Sequence, residues 1–206
     1  MSERPKYQLQ IEKRIMGYPS GTAFSAADFL DIAEANSVSQ ALFRIEKDGG
    51  IRRVINGVYD KPAYSRLIQE YSAPRIDKIA EALARRFHWN IAPSGDMALN
   101  TLHISTQVPN VWEYVSDGPY RDYMIGKIPL KFRHVMPREI NGRSAMTVMI
   151  IQGIRAIGKG KITQEQRDRF SSAVTAEDRE TLLKEARTAS GWIYREIRNI
   201  CGEQFS

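Results

Sequence analysis

The 206 residues include 42% hydrophobic and 26% charged side chains, 14 glycines and 9 prolines, a composition that supports a packed core and excludes a collagen, a mucin-like stalk or a disordered tail. The longest unbroken apolar stretch, Val148–Ile151, is far below the roughly 20 residues that span a bilayer. Met1–Lys6 is charged with no apolar leader core, and the single cysteine, Cys201, makes no internal disulfide, so a reducing cytoplasm and no membrane partner are expected. The net charge of +6 suggests a polyanionic partner, but the excess is spread along the chain, so any nucleic-acid reading must come from the placement of particular side chains.

Residues 1–62 read as a compact unit. Leu9, Ile11, Ile15 and Met16 recur at near-helical spacing over residues 7–16, and Gly17-Tyr18-Pro19-Ser20-Gly21 ends that helix. Ser25-Ala26-Ala27-Asp28 has the Ser-x-x-acid pattern of a capped start and predicts a second, short helix carrying Phe29, Leu30 and Ile32. Ser37-Val38-Ser39-Gln40 offers another capping box and predicts a third helix, in which Val38, Ala41, Leu42 and Ile45 share one face. Gly49-Gly50 closes it. Ile51–Ile55 and Val58-Tyr59 then read as two short strands around a tight Asn56-Gly57 turn. Helix, short helix, helix and hairpin is the order of a winged helix-turn-helix, whose third helix enters the major groove while the hairpin lies along the backbone.

Residues 63–74 lack a firm period and read as a connector. A second unit over 75–206 is expected to be α+β, giving the whole chain an α+β class. It starts with an amphipathic helix carrying Ile76, Ile79, Ala80, Leu83, Ala84 and Phe87, and Trp89–Ala92 follows as a strand. Pro93-Ser94-Gly95 opens a helix with Met97, Ala98, Leu99 and Leu102. Strands over 111–115, 120–125 and 128–135 supply a small, mostly antiparallel sheet, and helices over 145–157 and 176–201, the latter broken near Ser190-Gly191, finish the chain.

At 100° per residue, Gln40 and Lys47 fall opposite the apolar stripe of the third helix, with Arg44 on their flank. Gln pairs bidentately with adenine and Arg with guanine, so Gln40 and Arg44 suit base edges, Lys47 suits a phosphate, and the adjoining Ser39 belongs to the same candidate surface. A solvated helix face can carry the same residues, with Gln40 spent in its own capping box. The hairpin favours DNA: the consecutive Arg52 and Arg53 point to opposite faces of a strand, so at least one cation stands outward beside Asn56.

Other motifs favour structural readings. Gly153 to Lys159 has the spacing of a phosphate-binding loop, but Gly160 replaces the Mg²⁺-binding hydroxyl residue and the match ends an apolar helix, so the glycines read as a helix stop. His88, His103, His134 and Cys201 are too dispersed for a local metal motif, and no metal site or cofactor is expected. Ser94-Gly95-Asp96 lacks a nucleophile elbow and reads as a helix cap, so no catalytic residue is assigned. Trp112 and Tyr114 read as core.

Several segments together resemble a known family: Gly21–Phe29, Gln40–Ile45, Gly50–Val54, Gly57–Ser65, and Pro93-Ser94-Gly95 with Thr106–Pro109. They are similar to the AbiEi-type antitoxins of bacterial type IV toxin–antitoxin systems, in particular to a branch described as a domain of unknown function. The resemblance runs over residues 9–158 and is strongest in the wing. It implies a winged helix that represses its own operon as part of phage defence, at an operator with inverted repeats that accommodates a homodimer. It also implies a second domain that counters a nucleotidyltransferase-type toxin, and no catalytic centre. Its wing pattern falls on Arg52, Arg53, Gly57 and Tyr59, and its recognition-helix position on Arg44. The alternative is a Mg²⁺-dependent nucleic-acid enzyme delivered by the winged helix, with Asp96 and Asp122 as its first carboxylates to test.

Overall fold

The computed structural model describes residues 5–67 and 69–203. Two compact units divide the chain, the first ending at Trp89 and the second beginning at Asn90.

The first unit opens with α1 (Lys6–Gly17), which buries Ile11 and Ile15. A three-residue strand, β1 (Ala23–Ser25), then runs directly into a 3-10 turn over Ala26–Phe29. Ser25 and Asp28 form the capping box read from the sequence: the Ser25 amide donates to Asp28 Oδ2 at 2.8 Å, and the Ser25 hydroxyl accepts from the Ala27 amide. Helix α2 (Ala35–Lys47) buries the predicted stripe Val38, Ala41, Leu42 and Ile45. It begins two residues before Ser37, with Glu34 at its cap and no side-chain capping bond, so the expected Ser37–Gln40 box is absent and Gln40 is left on the exposed surface. Strands β2 (Arg52–Ile55) and β3 (Val58–Asp60) form the hairpin, with an irregularity between Arg53 and Ile55. β1 pairs antiparallel with the far edge of β3, giving a three-stranded sheet in the order β1-β3-β2. Phe24, Phe29, Val38, Leu42 and Ile45 join α1's Ile11 and Ile15 in one core. This is a winged-helix-like arrangement.

The expected connector holds a further hairpin, β4 (Tyr64–Ser65) with β5 (Glu70–Tyr71), whose tyrosine rings meet edge to face at 5.1 Å between centroids. After it, α3 (Ile76–Phe87) packs on β1, on the 3-10 turn and on β3. The helix expected to open the second unit therefore belongs to the first, and the boundary lies at 89/90, not in the stretch 63–74. Its apolar stripe needed a wall, and the exposed side of the small sheet supplies one.

The second unit is also α+β. Strands β6 (Ile91–Pro93), β7 (Trp112–Ser116), β8 (Arg121–Ile125) and β9 (Ile128–His134) form a mixed sheet in the order β6-β7-β9-β8. Two of its pairs are antiparallel and the central β7–β9 pair is parallel. Between β6 and β7 lies α4 (Gly95–Thr101). The chain continues through α5 (Pro137–Ile140), α6 (Ala145–Ile157), α7 (Gln164–Ala173), α8 (Ala176–Glu185) and α9 (Gly191–Cys201). α6 is the hub: Ile150, Ile151 and Ile154 pack with Leu99 of α4, Phe170 of α7, Leu182 of α8 and Ile193, Ile197 and Ile200 of α9.

Two glycine readings separate here. Gly158 does end α6, whereas Gly153 sits inside the helix, where a Cβ would come within 3.3 Å of both Leu99 and Phe170. It is a close-approach position and not a stop. Tyr114 is buried and stacked on Phe132, as the core reading expected, while Trp112 is only partly buried. No helix among the described residues is long and apolar enough to cross a membrane.

Candidate nucleic-acid interface

The apolar stripe of α2 fixes which side chains face outward. On a 3.6-residue helix with Val38 at the origin, Ser39, Phe43, Lys47, Gln40 and Arg44 occupy one continuous arc on the opposite side, and all five are exposed. That arc contains no acidic side chain. Gln40 is free of the capping role that competed with base reading. Arg44 reaches back to Gln8 Oε1 of α1 at 3.4 Å, a long contact that leaves its guanidinium exposed. Lys47 Nζ lies 5.5 Å from the centre of the Phe43 ring, within cation–π range. Phe43, 49% exposed in the middle of the arc, is the residue that sequence reasoning passed over. Its signal was an aromatic off the core stripe, a type that can meet a thymine methyl.

The two wing arginines part company. Arg53 is exposed and donates from Nη2 to Asn56 Oδ1 at 2.6 Å, which gathers both side chains at the hairpin tip. Arg52 points the other way. Its Nε and Nη2 donate to the two carboxylate oxygens of buried Asp60 at 3.0 and 2.5 Å, and Nη1 donates to the Ser72 carbonyl at 3.0 Å. All three donor groups are engaged within the protein, so Arg52 is a fastener between β2, β3 and the chain after β5, not a free cation of the wing.

The end of α3 holds the parts around α2 in place. Arg85 donates from Nε to Asp28 Oδ1 at 2.6 Å and from Nη2 to the Ala23 carbonyl at 2.9 Å, tying the 3-10 turn to β1. Arg86 Nη1 donates to the Asn56 carbonyl at 2.8 Å. The wing can approach this closely because Gly57 has φ +75° and no Cβ, which would overlap the Arg86 guanidinium.

The remaining candidates stay separate. Ser94 stands at the start of α4, but its hydroxyl donates to Glu113 Oε1 at 3.2 Å and makes no capping bond. Asp96 lines a cleft of about 440 Å³ with Ser94, Gly95, Glu113 and the segment Gln107–Val111, so Ser94-Gly95 and the Gln107–Pro109 part of the second motif meet there. Asp122 lies 3.9 Å from Arg133, which also pairs with Glu113. Among the described residues, no three His, Cys, Asp or Glu side chains cluster as metal ligands. His134 Nδ1 is bonded to the Gly118 carbonyl at 2.9 Å.

The first unit is thus winged-helix-like and the chain as a whole is α+β. Residues 10–182 match the model of a family of unknown function, DUF6088, and the chain belongs to that family. No curated protein matches it significantly.

Proposed function

We propose that this protein binds double-stranded DNA through α2 and the β2–β3 hairpin, as a repressor acting at its own operon. The observation that carries the reading is the acid-free exposed arc of α2, with Ser39, Gln40, Phe43, Arg44 and Lys47, in the same unit as a hairpin tip bearing Arg53 and Asn56. Gln40 and Arg44 are the base-reading candidates; Lys47 and Arg53 are the phosphate contacts. Arg52 has no such role.

On the resemblance to AbiEi-type antitoxins, the second unit counteracts a nucleotidyltransferase-type toxin, in the cytoplasm and without a catalytic centre of its own. The protein is then a DNA-binding antitoxin. Two assays test the two halves. Fluorescence anisotropy with duplexes from the upstream region should show affinity falling with salt at a log–log slope of about −2 or steeper, given at least two phosphate contacts. Co-expression should relieve the growth arrest caused by a toxin encoded beside the gene. Salt-independent or absent DNA binding refutes the first half; failure to rescue by a well-expressed protein refutes the second.

A further inference from the structure

Four arginines of the first unit have a carboxylate partner: Arg14 with Asp31, Arg52 with Asp60, Arg75 with Asp77, Arg85 with Asp28. Arg86 does not. Among the described residues its polar contact is with a carbonyl, that of Asn56, and its guanidinium carbon lies 5.1 Å from the centre of the Phe87 ring. A guanidinium has five N–H donors, and one carbonyl uses only part of them.

This cation lines a cleft of about 390 Å³ between the 3-10 turn, the first half of α2 and the wing tip, and it is the sole charged residue in that lining. Small side chains, Ala26, Ala27 and Ala35, keep the cleft open, and the hydroxyl-bearing Ser39 of the exposed α2 arc also lines it. An uncompensated guanidinium in an open cleft, already bound on one side to a neutral acceptor, has the charge and spare donors to take a singly charged, oxygen-rich group. Bidentate geometry makes a phosphate a better match than a point anion.

We infer that this cleft is a phosphodiester site in which Arg86 of α3 holds one backbone phosphate of duplex DNA between α2 and the wing, so that α3 is a third element of the interface. The inference rests on the DNA-binding reading above. It assigns Arg86 two simultaneous roles, propping the wing through the Asn56 carbonyl and contacting the nucleic acid directly. A prop alone would set the wing's position without adding a released counterion; a contact adds one.

The test uses the full chain and a mixed-sequence duplex of about 20 base pairs, with affinity measured across a salt series. Arg86→Gln should flatten the log–log slope by about 0.9, and Arg86→Lys should retain the parent slope. Ala27→Glu leaves Arg86 in place and adds a carboxylate to the cleft lining. It should weaken binding at low salt by about tenfold or more and flatten the slope by a similar amount, and it gives an answer even where Arg86→Gln fails to fold. A parent slope retained in both Arg86→Gln and Ala27→Glu overturns the inference, as does a loss of affinity in Arg86→Gln with no change in slope, which would leave Arg86 as a wing prop only. Absence of salt-dependent binding by the parent protein overturns the DNA-binding reading itself, and the inference with it.

Discussion

Replacing Arg52 by Ala separates two accounts of the wing that the sequence alone leaves equivalent. The carboxylate of Asp60 is 2% exposed and takes charge-assisted bonds from Arg52 at both oxygens, while the Arg52 side chain is 31% exposed. Removing the arginine leaves a buried carboxylate without its cation, a change that costs about 3–5 kcal/mol when both partners are fully buried. Water reaches the arginine end of this pair, so about 2–4 kcal/mol is the expected loss, and the bond to the Ser72 carbonyl goes with it. Asp60→Asn keeps an acceptor opposite Arg52 and should cost roughly 1–2 kcal/mol. Urea unfolding followed by circular dichroism reads both values. The salt dependence of DNA binding, measured where the variant is still folded, should be unchanged by Arg52→Ala and flattened by Arg53→Ala by about 0.9 in slope. A loss below about 1 kcal/mol together with a flattened slope for Arg52→Ala would refute the reasoning and return Arg52 to the nucleic-acid surface.

Three further outcomes are expected. Arg44→Ala should relax sequence preference at one base pair by about 1–3 kcal/mol in a competition assay, with other positions unaffected. Gly153→Val should destabilise the second unit by about 1–3 kcal/mol in a denaturant titration, because the added side chain meets Leu99 and Phe170, already 3.3 Å from a Cβ at that position. Burial raises the Glu185 carboxyl, but hydrogen bonds from Thr147 and from the Ser144 amide and hydroxyl, with the Arg143 charge nearby, outweigh it and hold the group below its ordinary range. A depressed carboxylate contributes stability above its unfolded pKa of about 4.3 and loses it as pH falls through the lower folded value. Glu185→Gln should therefore reduce stability near neutral pH and narrow its gap to the parent protein as both are acidified below about pH 4, and a gap independent of pH would contradict this.

What the sequence disclosed depended on how local each determinant was. The buried stripe of α2 was legible because one helix face repeats every 3.6 residues, and the Ser25–Asp28 box because both partners lie within one turn. The Ser37–Gln40 box has the same local pattern, but α2 starts earlier, at Ala35 with Glu34 at its cap, and the pattern alone does not fix which of several polar residues ends up at the cap. α7 escaped notice because it buries only Phe170, too little for a stripe, although Thr163 and Gln166 carry a capping box that forms as its spacing allows. Strand β1 is three residues long and buried throughout, so no alternation marks it. Membership of α3 in the first unit, the pairing of Arg52 with Asp60 and the reach of Arg86 to Asn56 depend on partners brought together by the fold. Residue types announced cations there, but only the tertiary arrangement separates a fastener from a free charge.

The most direct test of the DNA-binding account is backbone amide NMR of the ¹⁵N-labelled full chain titrated with a duplex from the upstream region at low salt. The account predicts that the largest shift changes cluster at 36–47 in α2, at 53–57 in the wing and around Arg86, with Arg52 and Asp60 changing less than Arg53. Shift changes confined to residues 90–203, or no change at any residue at low salt, would contradict it.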